Sequence, residues 1–286
     1  MLAITSMSCI GPWGETIEAF IDYCTDSDSG RVDPIRRNAD IAPVPGFIES
    51  SFNPLVYRTI QYFVENARIR DHAKLAIVLG SAFGDTATAD LASRNLLSGK
   101  IRNPLLFYQS VPNSILGFAA SRFHLTEMMT CITYNGGAAA ALFDMAELYL
   151  SMPDVEQVLV IGVETQSDRV DEMYAHLAKD GEPAFSHDTV VSLLLEQASA
   201  VQAEDQSPLF VQDIVRLAPG EKSADEADAW RCPIPAIGNA GLLNLVLAAE
   251  QLRRQDESGG GERTVPDATF GGDQYAITIV RRPHLV

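Results

Sequence analysis

The sequence predicts an α/β fold in one large domain, and three observations lead there. Apolar runs of strand length alternate with segments of helical periodicity from the first residues onward. The run "EQVLVIGVE" is apolar almost throughout, as strands are when helices cover both faces of their sheet. The 286 residues, 47% hydrophobic and 21% charged, are enough for a well-buried core.

Taken in order, "LAITSMSCI" reads as a first strand, followed by helices over Glu15 to Tyr23 and Pro54 to Asn66 and a second apolar strand in "KLAIVLGS". Helices over Thr86 to Leu97 and Val111 to Ser121 lead into a strand over Glu127 to Thr133. An Ala-rich helix starts at Gly137. Leu142, Met145, Ala146 and Tyr149 recur in it at helical spacing, and Ala138 to Ala141 let neighbours come close, so it should be central and buried. After "EQVLVIGVE" come strands over Thr189 to Leu195 and Leu209 to Leu217, then an acidic loop "PGEKSADEADAW". A helix from Ala240 to Arg253, a Gly-rich loop "ESGGGE" and a last strand "QYAITIV" complete the chain. This order suggests a single domain over 1–286 made of two related halves, 1–170 and 171–286, with the second one trimmed.

Charge narrows the function classes. A net charge of -17 and a pI near 4.6 repel phosphate backbones and anionic membrane surfaces, so nucleic acid is not an expected partner. Cys9, Cys24, Cys131 and Cys232 lie far apart without a CxxC pair, which fits a reducing compartment and gives no metal-site spacing. No cofactor is expected. The opening residues carry no basic n-region and predict a strand rather than a signal peptide. The longest apolar run, Leu242 to Ala249, is broken by Asn244 and falls short of the ~20 residues of a membrane span. A cytoplasmic location without membrane insertion is the expectation.

The most informative stretch is "MTCITYNGGAAAALFDMAELYL", Met129 to Leu150, a strand that turns sharply into a buried helix. In many acyl-transfer enzymes such a corner holds the nucleophile, because helix dipole and free amides lower a cysteine pKa from ~8.5 by one to several units. Here the corner reads Tyr134-Asn135-Gly136-Gly137, and the nearest thiol, Cys131, sits four residues earlier within the strand. An inert buried thiol is the ordinary reading of Cys131, and a displaced nucleophile is the alternative. Ser186-His187-Asp188 are neighbours in sequence and cannot line up as a triad, so they read as a turn before a strand. "GSAFGD" after the second strand lacks GxGxxG spacing and reads as a tight turn.

Several segments, in the right order, resemble the β-ketoacyl synthase family of the thiolase fold. "MLAITSMSCIGPWGETIEAF" is similar to its opening strand and turn, and "NPLLFYQSVPNSILGFAASRFHL" to the segment before the active-site strand. "MPDVEQVLVIGVE" matches the strand after the nucleophile helix, and "FGGDQYAITIV" the closing loop and strand. The resemblance implies a layered α-β-α-β-α fold. Matching "MTCITYNGG" to the family's "T..TACS.G" places Thr130 and Thr133 on the threonine-like positions and Asn135 where the catalytic cysteine belongs; counting back from Glu164 gives Gly136 instead. Neither can form a thioester. The family's "GHT.GAAG" stands here as "PIPAIGNAGLLN", with Pro235 and its neighbours in place of the histidine, and no histidine lies between the Leu209 strand and Trp230 where an "HGT" loop is expected.

With all three catalytic groups missing, the resemblance is to the family's non-catalytic branch, the chain-length factor or ketosynthase β subunit, most of all its short aryl-polyene type. This implies a heterodimer with a catalytic β-ketoacyl synthase, and contact with acyl carrier protein through that partner. Phe107, Tyr108, Val111, Leu116 and Phe118 are either core packing or, by the resemblance, interface and floor of the acyl tunnel. Met128, Met129 and Ile132, with Tyr134, suit the strand facing the partner. A self-sufficient acyltransferase or condensing enzyme using Cys131, and a homodimeric acyl-binding protein, remain as alternatives.

Overall fold

The computed structural model describes residues 1–25, 41–66, 69–99, 104–177, 187–201, 209–218, 221, 238–255 and 260–282. Along them run β1 (Leu2–Ile10), α1 (Ile17–Thr25), α2 (Phe52–Glu65), β2 (Leu75–Gly80), α3 (Thr86–Leu97), α4 (Pro104–Ser110), α5 (Asn113–Phe123), β3 (Met129–Ile132) and α6 (Ala138–Leu150). They continue with β4 (Gln157–Glu164), α7 (Asp168–Leu177), β5 (Thr189–Gln197), β6 (Leu209–Arg216), α8 (Ala240–Arg254), β7 (Gly261–Ala268) and β8 (Gln274–Arg281). The strands form one sheet in the order β3-β2-β4-β5-β1-β6-β8-β7. β2 is parallel to β3 and β4, and the remaining pairs are antiparallel.

Burial explains the layering. β2 and β4 are buried at every residue, which is why they read as apolar runs, and β5 is buried at all but its last. One face of β3-β2-β4-β5-β1 packs on α2 and α5 through Leu55, Ile60, Phe63 and Ile115. The other face packs on α6 and α8, which are also covered by Val211 of β6, Val265 of β7 and Ile277 of β8. The pairing that joins the two parts of the sheet is only three residues long, Leu2↔Val211 to Ile4↔Leu209, and the sheet wraps round the two central helices from there. The result is four layers, helix-strand-helix-strand, with α8 the one labelled helix after β6 among the described residues.

Local chemistry sets several element ends. Asp85 caps α3 by accepting from the Thr88 amide, and His124 ends α5 in the left-handed region at φ 57°. Ala138, Ala139 and Ala146 are fully buried on α6, so the small residues do allow close packing. Among the described residues no helix is long and apolar enough to cross a membrane.

Three elements differ from the sequence expectation. α4 is seven residues long, too short to show a period. α7 carries Val170, Met173, Tyr174 and Leu177 at helical spacing, a stripe short enough to pass unread among its charged residues, and of its residues with described burial only Val170 is both apolar and buried. β7, "GERTVPDA", contains Pro266 and three charged residues and reads as loop; it becomes a strand because β8 offers a full ladder, Gly261↔Arg281 to Ala268↔Gln274. Its position at the sheet edge is where a proline can be accommodated. The acidic loop of 219–230 falls outside the described residues except for Glu221.

One buried charge generates a test of the sheet. Glu196, buried at the end of β5, accepts from Gln157 Nε2 at 2.7 Å and pairs with Arg70 Nη2 at 2.7 Å. Arg70→Ala leaves this carboxylate uncompensated and should cost about 2 kcal/mol, below the usual buried-pair loss because Arg70 is a third exposed. Urea denaturation measures it, and adding Glu196→Gln should recover part of the loss.

Candidate functional site

The chain leaves β3 at Ile132 and enters α6 at Ala138 through two consecutive left-handed residues, Gly136 (φ 72°) and Gly137 (φ 66°). Only glycine adopts this pair without steric cost, and it turns the chain into the helix immediately before Ala138. A Cβ at Gly136 would stand 2.7 Å from the Ala268 carbonyl oxygen and 2.9 Å from the Phe270 nitrogen. The backbone between β7 and β8 therefore fills the space a side chain would need.

That same loop satisfies the start of α6. The Gly137 amide donates to Ala268 O at 2.7 Å, and the Ala139 and Ala140 amides donate to Asp267 Oδ2 at 3.0 and 3.2 Å. The Phe270 amide donates to Asn135 O at 2.7 Å, closing a small antiparallel bridge between Gly136 and Thr269. Asp267 Oδ1 accepts from the Ala268 amide at 3.1 Å and lies where a Cβ on Gly241 would sit, 2.2 Å away, so glycine at the first turn of α8 leaves room for the carboxylate. Burial pushes the Asp267 carboxyl up to about 6, against the pull of its three amide donors.

Beneath the corner lies a second buried group. Glu164, at the end of β4, accepts from the Ala82 amide at 2.6 Å, from Ser81 Oγ at 3.1 Å and from the Phe83 amide at 3.4 Å. Burial outweighs these donors and pushes its carboxyl up to about 8. Tyr134 lies beside Glu164, and burial with the neighbouring carboxyl raises its hydroxyl well above the usual range. The Tyr134 ring lies against Gly80, where a Cβ would meet Cε1 at 2.6 Å, and its hydroxyl donates to Asn239 Oδ1 at 3.4 Å. Asn239 Nδ2 donates to Gly162 O at 3.1 Å and to Thr189 Oγ1 at 3.1 Å, so one amide ties α8 to β4 and β5. Between the β2–α3 turn and the β7–β8 loop, the rings of Phe83 and Phe270 stack at 5.8 Å.

The residues singled out in the sequence are spread over the molecule. Asn135 and Gly136 are at the corner; the Asn135 side chain is exposed and makes no hydrogen bond among the described residues, its carbonyl doing the bonding instead. Cys131 is on β3, the sheet edge, and is exposed rather than buried. Desolvation of its sulfur still pushes the thiol up to about 11, so it stays protonated at neutral pH, the opposite of an activated nucleophile. Leu116 and Tyr134 are core residues, and Met128, just before β3, and Met129 and Ile132 on it are half-buried against the core. Phe118 packs between Phe47 and Tyr57, and Val111 is half-buried in the turn before α5. Phe107 and Tyr108 project from α4, Phe107 with 72% of its surface exposed, so neither is a core residue of this chain. His187 and Asp188 are buried, with Asp188 accepting from the Gln166 amide at 2.8 Å; Ser186, Trp230 and Pro235 lie outside the described residues. "GSAFGD" is the β2–α3 turn, and its Ser81 and backbone hold Glu164.

Sequence reasoning missed Asp267 and did not assign a role to Glu164. Asp267 gives no signal, being one acidic residue beside a proline, in a segment that reads as loop. Glu164 had one: a carboxylate closing an otherwise apolar strand must be held by something. Among the described residues no three His, Cys, Asp or Glu side chains gather as a metal site requires.

Two outcomes test this geometry. The folded pKa of Glu164 is about 8 against 4.5 for the free group, so the folded state holds an extra proton between these values. Its contribution to stability is full below pH 4.5 and lost as pH rises through 8, at up to about 1.4 kcal/mol per pH unit within the window. Glu164→Gln should remove this part of the slope in denaturation series from pH 5 to 9. Asp267→Ala orphans the Ala139 and Ala140 amides and should cost about 2 kcal/mol at pH 7 by urea denaturation.

No protein-family model and no curated protein sequence matches the chain. Solved structures do match it. The ketosynthase ApeO in complex with its chain length factor ApeC, from Xenorhabdus doucetiae, shares 17% identity over 98% of this chain and 99% of the matched chain, with a TM-score of 0.65. The ishigamide ketosynthase/chain length factor shares 14% over 98% and 99%, with a TM-score of 0.70. A type II polyketide synthase acyl-carrier protein in complex with its ketosynthase bound to the hexaketide, AntDE:AntF, shares 14% over 97% and 98%, with a TM-score of 0.68. At these identities the likeness is one of fold: the chain has the layered thiolase-like fold seen in ketosynthases and their chain length factors.

Proposed function

We propose that this chain is a non-catalytic chain length factor: it pairs with a catalytic β-ketoacyl synthase and shapes the tunnel for a growing acyl chain in polyketide, aryl-polyene or fatty-acid-like synthesis. The observation that carries this is the corner before α6, which presents Asn135 and two glycines where the fold would present a thiol, with the place of a side chain at Gly136 closed by Ala268. The solved structures of this fold that pair a ketosynthase with a chain length factor support it.

The surface supports it too. Leu97 on α3 and Leu105 and Phe107 on α4 are exposed side chains of two helices packed on each other, and β3 leaves one side of its ladder open. An exposed apolar patch and an unpaired strand edge are each what a partner would cover. On this reading the exposed rings of Phe107 and Tyr108 are the groups that block a tunnel shared with the partner. Each two-carbon unit buried gains about 1.6 kcal/mol, while forcing it into occupied space costs about 1–3 kcal/mol, so one aromatic ring suffices to set product length. The chain's strong negative charge directs an acidic carrier protein to the partner.

A second reading, a homodimer that binds acyl groups by itself, is favoured by one feature. An open cleft of about 690 Å³ lies between α2, α5 and the residues before them, floored by Val44, Tyr57 and Phe118 and flanked by Arg58 and Arg122.

The test is co-expression with a candidate catalytic ketosynthase, followed by intact-mass spectrometry after exposure to acyl- and malonyl-loaded carrier protein. The expected adduct is on the partner alone, and Cys131→Ala leaves it unchanged. An adduct on this chain that disappears in Cys131→Ala would overturn the proposal, and acyl ligand retained without any ketosynthase would favour the second reading. Leu97→Asp with Phe107→Asp should reduce co-purification about tenfold or more, and Phe107→Ala should lengthen the product by one or more two-carbon units.

A further inference from the structure

We infer that Asp267 is this chain's own substitute for a bound anion at the corner, so that the start of α6 is closed electrostatically as well as being without a thiol. A 13-residue helix such as α6 offers partial positive charge and unpaired amides at its first turn, the features that stabilise a thiolate or an oxyanion there. In this protein those features are already used. The Asp267 carboxylate takes the Ala139 and Ala140 amides, and the Ala268 carbonyl takes that of Gly137.

The arrangement is built in from three sides. Asp267 is buried, held by a third amide on Ala268, and given its space by the missing side chain of Gly241 on α8. Its place on β7 is set by the ladder with β8, Asp267↔Tyr275. Of the two positions at the corner, Gly136 is sterically shut, whereas Asn135 is exposed, its Nδ2 3.7 Å from where a Gly271 Cβ would be. A thiol can therefore be introduced at 135, but it would face a helix whose positive end is already neutralised. Supplying a cysteine does not by itself rebuild an activated nucleophile; the charge at 267 has to go as well.

The measurement uses the full chain carrying Asn135→Cys, alone and combined with Asp267→Asn. Alkylation by iodoacetamide is followed peptide by peptide from pH 6 to 10, with Cys131 as reference and the buried Cys9 reporting an intact fold. The introduced thiol should titrate at or above the ordinary value of ~8.5 while Asp267 is present. With Asp267→Asn it should react at least about threefold faster at pH 7, a fall of half a pKa unit or more. Cys131 should keep its rate. If the combined variant exposes Cys9, Asp267→Ser, which removes the charge and keeps an acceptor, gives the same readout. A thiol already activated beside an intact Asp267, or an unchanged rate once the charge is removed, would overturn the inference. No partner subunit takes part, so this outcome is separate from that of the co-purification.

Discussion

Three backbone amides at the start of α6 need acceptors in a place water does not reach, and meeting that need ties the molecule together. The acceptors come from β7, with Asp267 128 residues further along the chain than Ala139. For them to arrive, the β7–β8 hairpin must lie over the corner, Gly136 and Gly137 must be left-handed, and Gly241 must carry no side chain. An unpaired buried amide costs about 1–3 kcal/mol, so these features stand or fall as a set. The sheet pairing between the same two parts of the molecule is only three residues long, which leaves the clasp at the corner and the shared packing on α6 and α8 to fix how the parts meet.

Around the clasp the protein buries polar groups that an apolar core would not need. Glu164 is kept largely protonated at neutral pH by burial and is held by Ser81 and the backbone after β2, and Tyr134 beside it hydrogen-bonds to Asn239 at the start of α8. Asn239 spans β4 and β5. Each of these bonds is directional, so the network specifies one registration of α8 against the sheet where apolar contacts alone would tolerate several. The cost is a dependence on protonation state: ionising Glu164 at high pH places a charge where desolvation is greatest.

The outer surface follows different rules from the corner. The exposed apolar side chains are concentrated on α3 and α4, and the open ladder of β3 lies at one end of the sheet, while the other end is closed off by a strand containing proline. Native sheets blunt their edges unless something pairs with or covers them. On the proposed reading the asymmetry has a simple cause: one end is left available to a partner and the other is not. A corner that holds its own anion and an open, apolar surface are both consistent with the proposed non-catalytic role.

What the sequence determined by itself was the alternation of strands and helices and the buried character of β2, β4 and α6. Its chemistry also ruled out a thioester at Asn135 or Gly136. These are local properties, readable because apolar runs and periodicity survive without knowledge of neighbours. Only the tertiary structure decided that β7 is a strand, since "GERTVPDA" has no pattern of its own and is ordered by β8. It also decided that Cys131 lies at an exposed edge and that Phe107 stands outside the core, because exposure depends on which strand ends up last in the sheet. Asp267 belongs to the same class. A lone carboxylate acquires its role from amides far away in the chain, and no spacing in the sequence records that they meet.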